Sequence, residues 1–138
     1  MTAFLDTNIL IRHLTGDPPD LAARSTAYLA SAEELFVPDL IVAETIYVLE
    51  SFYELPRARV AMLARSVVDF PAIMVVDSGL IHRAVELYEQ ERLDFAEAYL
   101  VACAERTGVE EVASFDRSID RVQSVRRVEP PRLPGRRR

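Results

Sequence analysis

Two aspartates in this chain each close a short apolar run, and a glutamate interrupts a third. Asp6 follows Ala3, Phe4 and Leu5; Asp116 follows Val112, Ala113, Ser114 and Phe115; Glu44 lies within residues 40–49, which are otherwise almost wholly apolar. An unpaired carboxylate drawn into an apolar interior costs several kcal/mol or takes up a proton, so acids in such places are expected to have a cation partner. Lysine is absent from the chain and no arginine adjoins Asp6 or Glu44 in sequence. The simplest partner is a divalent metal, held by carboxylates that the fold collects from distant segments. A hard-metal hydrolase site is the expectation.

Hydrophobic periodicity gives a fold that could do this. Short apolar runs at residues 3–6, 35–37, 73–76, 111–115 and 124–128 read as strands. Between them lie helical patterns at residues 8–14, from Pro18 and Pro19 through Leu29, from Asp39 to about Tyr53, from Pro56 through Val68, from Asp77 or Ser78 through Tyr88, and from Asp94 to Thr107. Gly16 and Gly108 follow two of them as C-terminal caps, and residues 117–121 suit a further short helix. Such alternation predicts an α/β fold with a mostly parallel central sheet flanked by helices on both faces. Ligands in these folds bind at the carboxyl ends of the strands, where Asp6 and Asp116 are placed.

The helix that starts near Asp94 adds two more acids. Asp94 and Glu97 are three apart and share a helix face close to its N-terminus. Capping competes with ligation as a role for Asp6, Asp94 and Asp116, because negative charge is favoured at a helix start. Glu97 shares that first-turn alternative, and Glu44 could simply occupy an exposed helix surface.

Composition limits the remaining classes. With 138 residues, half of them hydrophobic, the chain is expected to form one domain over residues 1–129, with a disordered basic tail at 130–138. No apolar run is long enough to span a bilayer and the N-terminus lacks a signal-peptide pattern, so a cytoplasmic protein is expected. Cys103 is the single cysteine, which rules out an internal disulfide. It reads as a core residue, and His13 and His82 as ordinary helix residues.

A net charge of −6 argues against nucleic acid until its distribution is considered. Several acids belong to the predicted site, and the C-terminal region carries Arg126, Arg127, Arg132, Arg136, Arg137 and Arg138. All 16 basic residues are arginine, a usage that suits phosphate contacts and that genomic base composition also explains. Arg12 and Arg117 stand close in sequence to the two aspartates. Tyr47, Phe52, Tyr53 and Met62 could form an association surface or pack in the core.

Four segments, taken in order, resemble one family. Phe4-Leu5-Asp6-Thr7-Asn8-Ile9-Leu10, Val42-Ala43-Glu44, Asp94-Phe95-Ala96-Glu97-Ala98 and Ser114-Phe115-Asp116-Arg117 are similar to the motifs of the PIN-domain ribonucleases, and among these to the VapC toxins of bacterial toxin–antitoxin pairs. The resemblance spans residues 3 to about 128. It implies a PIN-like α/β/α sandwich, an endoribonuclease dependent on Mg²⁺ or Mn²⁺ that leaves 5′-phosphate and 3′-hydroxyl ends, an RNA substrate, inhibition by a VapB-type antitoxin, and a homodimer.

By position, the resemblance makes Asp6, Glu44 and Asp116 metal-site acids. The family's third acid is usually aspartate; here Glu97 stands in its place. The added methylene could shift the metal, favour a water-mediated contact or pass ligation to Asp94. Thr7, Asn8 and Ser114 match residues that support the acids or a bound water.

Two rival functions are weighed against the ribonuclease. A phosphotransfer domain built on Asp6 would resemble families that require a lysine, which this chain lacks. A catalytically inactive PIN-fold binding module would fit the departure at Glu97.

Overall fold

A computed structural model describes residues 2–135; Arg136, Arg137 and Arg138 of the expected tail lie outside the described residues. Twelve elements follow one another, beginning with β1 (Thr2–Phe4), α1 (Thr7–Thr15), α2 (Pro19–Ser31), β2 (Glu34–Phe36), α3 (Asp39–Ser51) and α4 (Arg57–Val68). The second half comprises β3 (Ile73–Met74), α5 (Ser78–Gln90), α6 (Phe95–Thr107), β4 (Glu111–Ala113), a 3-10 helix (Arg117–Arg121) and β5 (Arg126–Val128). Together they make an α/β/α fold in which every strand pair is parallel.

Local chemistry sets most boundaries. Gly16 and Gly108 take left-handed φ values of 71° and 74°, which end α1 and α6 at little steric cost. Asp77 starts α5, its Oδ1 accepting the Leu80 amide at 3.0 Å. Asp39 behaves otherwise than expected. Pro38 takes the N-cap position of α3, and the Asp39 side chain instead accepts a hydrogen bond from the Tyr99 hydroxyl on α6.

The strands are shorter than the apolar runs that announce them. β3 stops at Met74, and Val76 is 89% exposed beside the cap of α5. Ladder bonds join β1, β2 and β3 in that order and, separately, β4 to β5. With two or three residues per strand, each ladder is small. Leu35 and Ile73 are buried, whereas in the cross-strand row Phe4, Phe36 and Met74 the outer two side chains are exposed and Phe36 is partly covered.

The core is built from Leu10, Leu29, Leu35, Ile46, Leu49, Ile81, Leu87, Tyr88 and Leu93, all fully buried. Arg57 organises the turn into α6. Its Nη1 donates at 2.7 Å to the carbonyls of both Tyr88 and Leu93, and its guanidinium lies 4.3 Å from the Tyr88 ring centre. That turn delivers Asp94 and Glu97.

A second arginine joins α5 to α6. Arg83 donates from Nε at 2.7 Å and Nη2 at 2.9 Å to the two carboxylate oxygens of Glu105, and also pairs with Glu86. Arg83 therefore holds the Glu105 carboxyl below its ordinary value of 4.5. A depressed carboxyl stabilises the fold when ionised, so this contribution is present above pH 4.5 and is lost as pH falls below it. Glu105→Gln is expected to destabilise the chain by about 1–2 kcal/mol at neutral pH. The difference from wild type should vanish in urea melts at acid pH; an equal difference at every pH would rule out the charge as its source.

Two of the six arginines expected to make the C-terminal region basic are occupied. Arg126 pairs with Glu111, and Arg127 pairs with Asp120 while donating to the Ser114 carbonyl at 3.0 Å. Residues 130–135 are exposed and form neither helix nor strand. Among the described residues no helix is long and apolar enough to cross a membrane.

Candidate active site

Burial does not account for the acids. Asp6, Glu44, Asp94 and Asp116 are exposed and Glu97 is partly covered, which corrects the expectation that Asp6, Glu44 and Asp116 are drawn into the interior. Asp6 and Asp116 lie just past the last residue of β1 and β4, where the chain has left the ladder. Glu44 falls on the outer stripe of α3 with the exposed Leu40 and Tyr47, while Val42, Thr45, Ile46 and Leu49 face inward.

Asp6 occupies the N-cap position of α1, with Oδ1 accepting the Thr7 amide at 2.8 Å. Thr7 is 5% exposed, and its hydroxyl has no hydrogen-bond partner among the described residues. Such a buried orphan invites a ligand or water. Both residues line a cavity of about 370 Å³ together with Asn8, Arg12 and Glu44, closed on its other side by Ile11, Val48, Phe52 and Tyr53.

Glu97 and Asp116 form the second group. Their carboxyls are hydrogen-bonded to each other. Ser118 binds both, its hydroxyl donating to Glu97 Oε2 at 2.6 Å and its amide to Asp116 Oδ1 at 2.9 Å. Ser114 Oγ accepts the Asp116 amide at 2.9 Å, which orients the backbone there. Burial raises the Glu97 carboxyl, and the neighbouring Asp116 and Asp94 raise it further. Asp116, accepting hydrogen bonds from Glu97 and Ser118, is held down at about 2. A raised Glu97 beside a lowered Asp116 is what two adjacent carboxyls in unequal surroundings produce.

Asp94 is the N-cap residue of α6 yet makes no side-chain capping bond, so its carboxylate is not committed to the helix. It borders a groove between α3 and α6 that Tyr47, Glu50 and Phe95 also line.

The five acids are thus gathered as two pairs and one neighbour. Among the described residues no three acids, histidines or cysteines stand close enough to grip a single ion as they are. Clustered carboxylates without a cation repel one another or share a proton. The donors themselves suit a hard divalent cation: they are all oxygens, and none of the five forms an ion pair among the described residues. The unpartnered Thr7 hydroxyl adds a further oxygen beside Asp6.

Other expectations meet a plain outcome. His13 bonds Thr26, His82 bonds Asp69, and Cys103 is only partly buried rather than in the core. Tyr47, Phe52 and Met62 are exposed, Tyr53 partly covered, and Arg117 exposed. Ser118 was not foreseen, although an aspartate two residues before a serine at a helix start is a capping pattern that could have drawn attention to it.

Comparison with known proteins agrees with the geometry. Over 116 residues the chain is 26% identical to a VapC ribonuclease from Aquifex aeolicus (strain VF5), an alignment covering 82% of this chain and 86% of that protein. The family model for the PIN domain matches residues 3–125, a span that runs from β1 to the turn before β5 and holds every acid of the candidate site, and on that match the chain belongs to the PIN-domain family.

Proposed function

We infer that this chain is an endoribonuclease toxin of the VapC kind, dependent on Mg²⁺ or Mn²⁺ and restrained by a VapB-type antitoxin. One observation carries the reading: in a chain of this family, Asp6 and Glu44 share one cavity and Glu97 and Asp116 form a second pair, all of them oxygen donors free of ion pairs among the described residues. The printed name of the Aquifex aeolicus protein supports RNA as the substrate.

Asp6, Glu44, Glu97 and Asp116 would hold the ion, with Asp94 beside them. When bound, a divalent ion polarises a phosphate and lowers the pKa of an attacking water. Burial and the neighbouring acids favour the protonated Glu97 carboxyl, and a metal ligand must be deprotonated, so metal affinity should rise with pH. Asn8, exposed at the cavity, and the Thr7 hydroxyl can orient a water or a phosphate oxygen. The protein acts in the cytoplasm, as a homodimer, where an unrestrained ribonuclease would be harmful; an arginine-bearing antitoxin segment can take the place of the metal among the same carboxylates.

Incubating the purified chain with total RNA, in Mg²⁺ or Mn²⁺ and in EDTA, tests this directly. Cleavage with metal and none in EDTA is expected, with 5′-phosphate ends. The melting temperature should also rise in millimolar metal, by an amount equivalent to about 2.7 kcal/mol when the ion is at about 100 times its dissociation constant. A chain indifferent to metal in both measurements would refute the reading.

A further inference from the structure

The cavity that holds Asp6 and Glu44 has an aromatic wall. Phe52 lines it and is 75% exposed. Its ring meets Tyr53 edge to face, with centroids 5.0 Å apart and planes at 72°. Tyr53 is held in turn, its hydroxyl donating to Asp17 Oδ2 at 3.1 Å. Arg12 lines the same cavity and donates from Nη1 to the Asp17 carbonyl at 3.1 Å. Asp17 therefore anchors both walls.

Arg12 forms no ion pair among the described residues, so its charge is available to a ligand. An exposed, anchored aromatic ring and a free guanidinium lining one cavity match a nucleotide. Bases of single-stranded RNA stack on aromatic rings, and guanidinium groups bind phosphates. A volume of about 370 Å³ lies within the range of small-ligand pockets. The other exposed apolar side chains of α3, Leu40 and Tyr47, do not line this cavity.

We propose that Phe52 and Arg12 form a nucleobase subsite for single-stranded RNA, the ring stacking a base beside the scissile phosphate and Arg12 holding a flanking phosphate. This rests on the ribonuclease reading above. The occupant is RNA rather than a protein segment, because the aromatic ring, the cation and the acids Asp6 and Glu44 line one cavity, and a strand of RNA presents both bases and phosphates.

Two measurements test it, using the full chain in Mg²⁺. Steady-state cleavage of a short oligoribonucleotide should show KM raised about tenfold by Phe52→Ala, with kcat far less affected, and should be largely restored by Phe52→Tyr. Equilibrium binding of an oligoribonucleotide carrying 2-aminopurine, measured with Glu97→Gln so that cleavage does not intervene, should show fluorescence quenching that Phe52→Ala abolishes and Arg12→Ala weakens. The melting temperature of Phe52→Ala should stay at the wild-type value, since the side chain is largely in solvent. Cleavage that depends on Asp6 but has the same KM and quenching in Phe52→Ala would overturn the subsite while leaving the ribonuclease intact. Loss of self-association in Phe52→Ala with unaltered RNA binding would overturn it in favour of a protein interface. No cleavage and no quenching by any form of the chain would overturn both.

Discussion

Asp6→Asn is expected to abolish RNA cleavage while leaving the metal-free chain as stable as wild type or more so. The two effects separate because of where Asp6 sits. Its Oδ1 accepts the Thr7 amide at the N-cap of α1, and asparagine caps a helix about as well as aspartate. The substitution therefore removes the charge but keeps the local hydrogen bond. Loss of an outer partner of a metal site typically costs 10–100-fold, so removal of a ligand itself should exceed about a hundredfold. Asp116→Asn should behave alike, since Asp116 caps the 3-10 helix through the Ser118 amide. Cleavage assays paired with circular-dichroism melts measure both quantities; a folded Asp6→Asn chain that cleaves normally would dispose of the site.

Glu97→Gln should cripple cleavage far more than Asp94→Asn. Glu97 is bonded to Asp116 and Ser118, whereas Asp94 is exposed and makes no capping bond. Burial and the neighbouring acids favour the protonated form of Glu97, so Glu97→Gln should retain the apo fold and its contact with Asp116. Under metal, only glutamate can become a ligand. Ser118→Ala should lie between the two, at about 10–100-fold, because it leaves the carboxylate present but unoriented. The reverse order for Glu97 and Asp94 would transfer the ligand role to Asp94, the position that the extra methylene of Glu97 leaves open.

Local physics made much of this chain legible before its structure. The αL glycines Gly16 and Gly108, the Asp77 cap and the proline-led starts of α2 and α4 act within a turn of themselves, so they read correctly from neighbours alone. The candidate acids were legible for a related reason: a carboxylate that closes an apolar run lies at the carboxyl end of a strand whatever surrounds it. Their exposure was not legible. It depends on which stripe of α3 meets α1 and α4, and on how soon the ladders end, as at Val76. Asp39 looks like a cap, yet it binds Tyr99, sixty residues away. Ser118 likewise gains its meaning only when α6 brings Glu97 across to it. Phe52 reads in sequence as an association-surface or core residue; only packing sets it, just past α3, in the cavity with Asp6 and Arg12. Backbone preferences and caps are decided by a few adjacent residues, and the sequence by itself determined these and the order of strands and helices, and it named the candidate acids. Contacts between side chains far apart depend on how helices pack over the sheet, so only the tertiary structure decided the pairing of the acids and the residues that orient them.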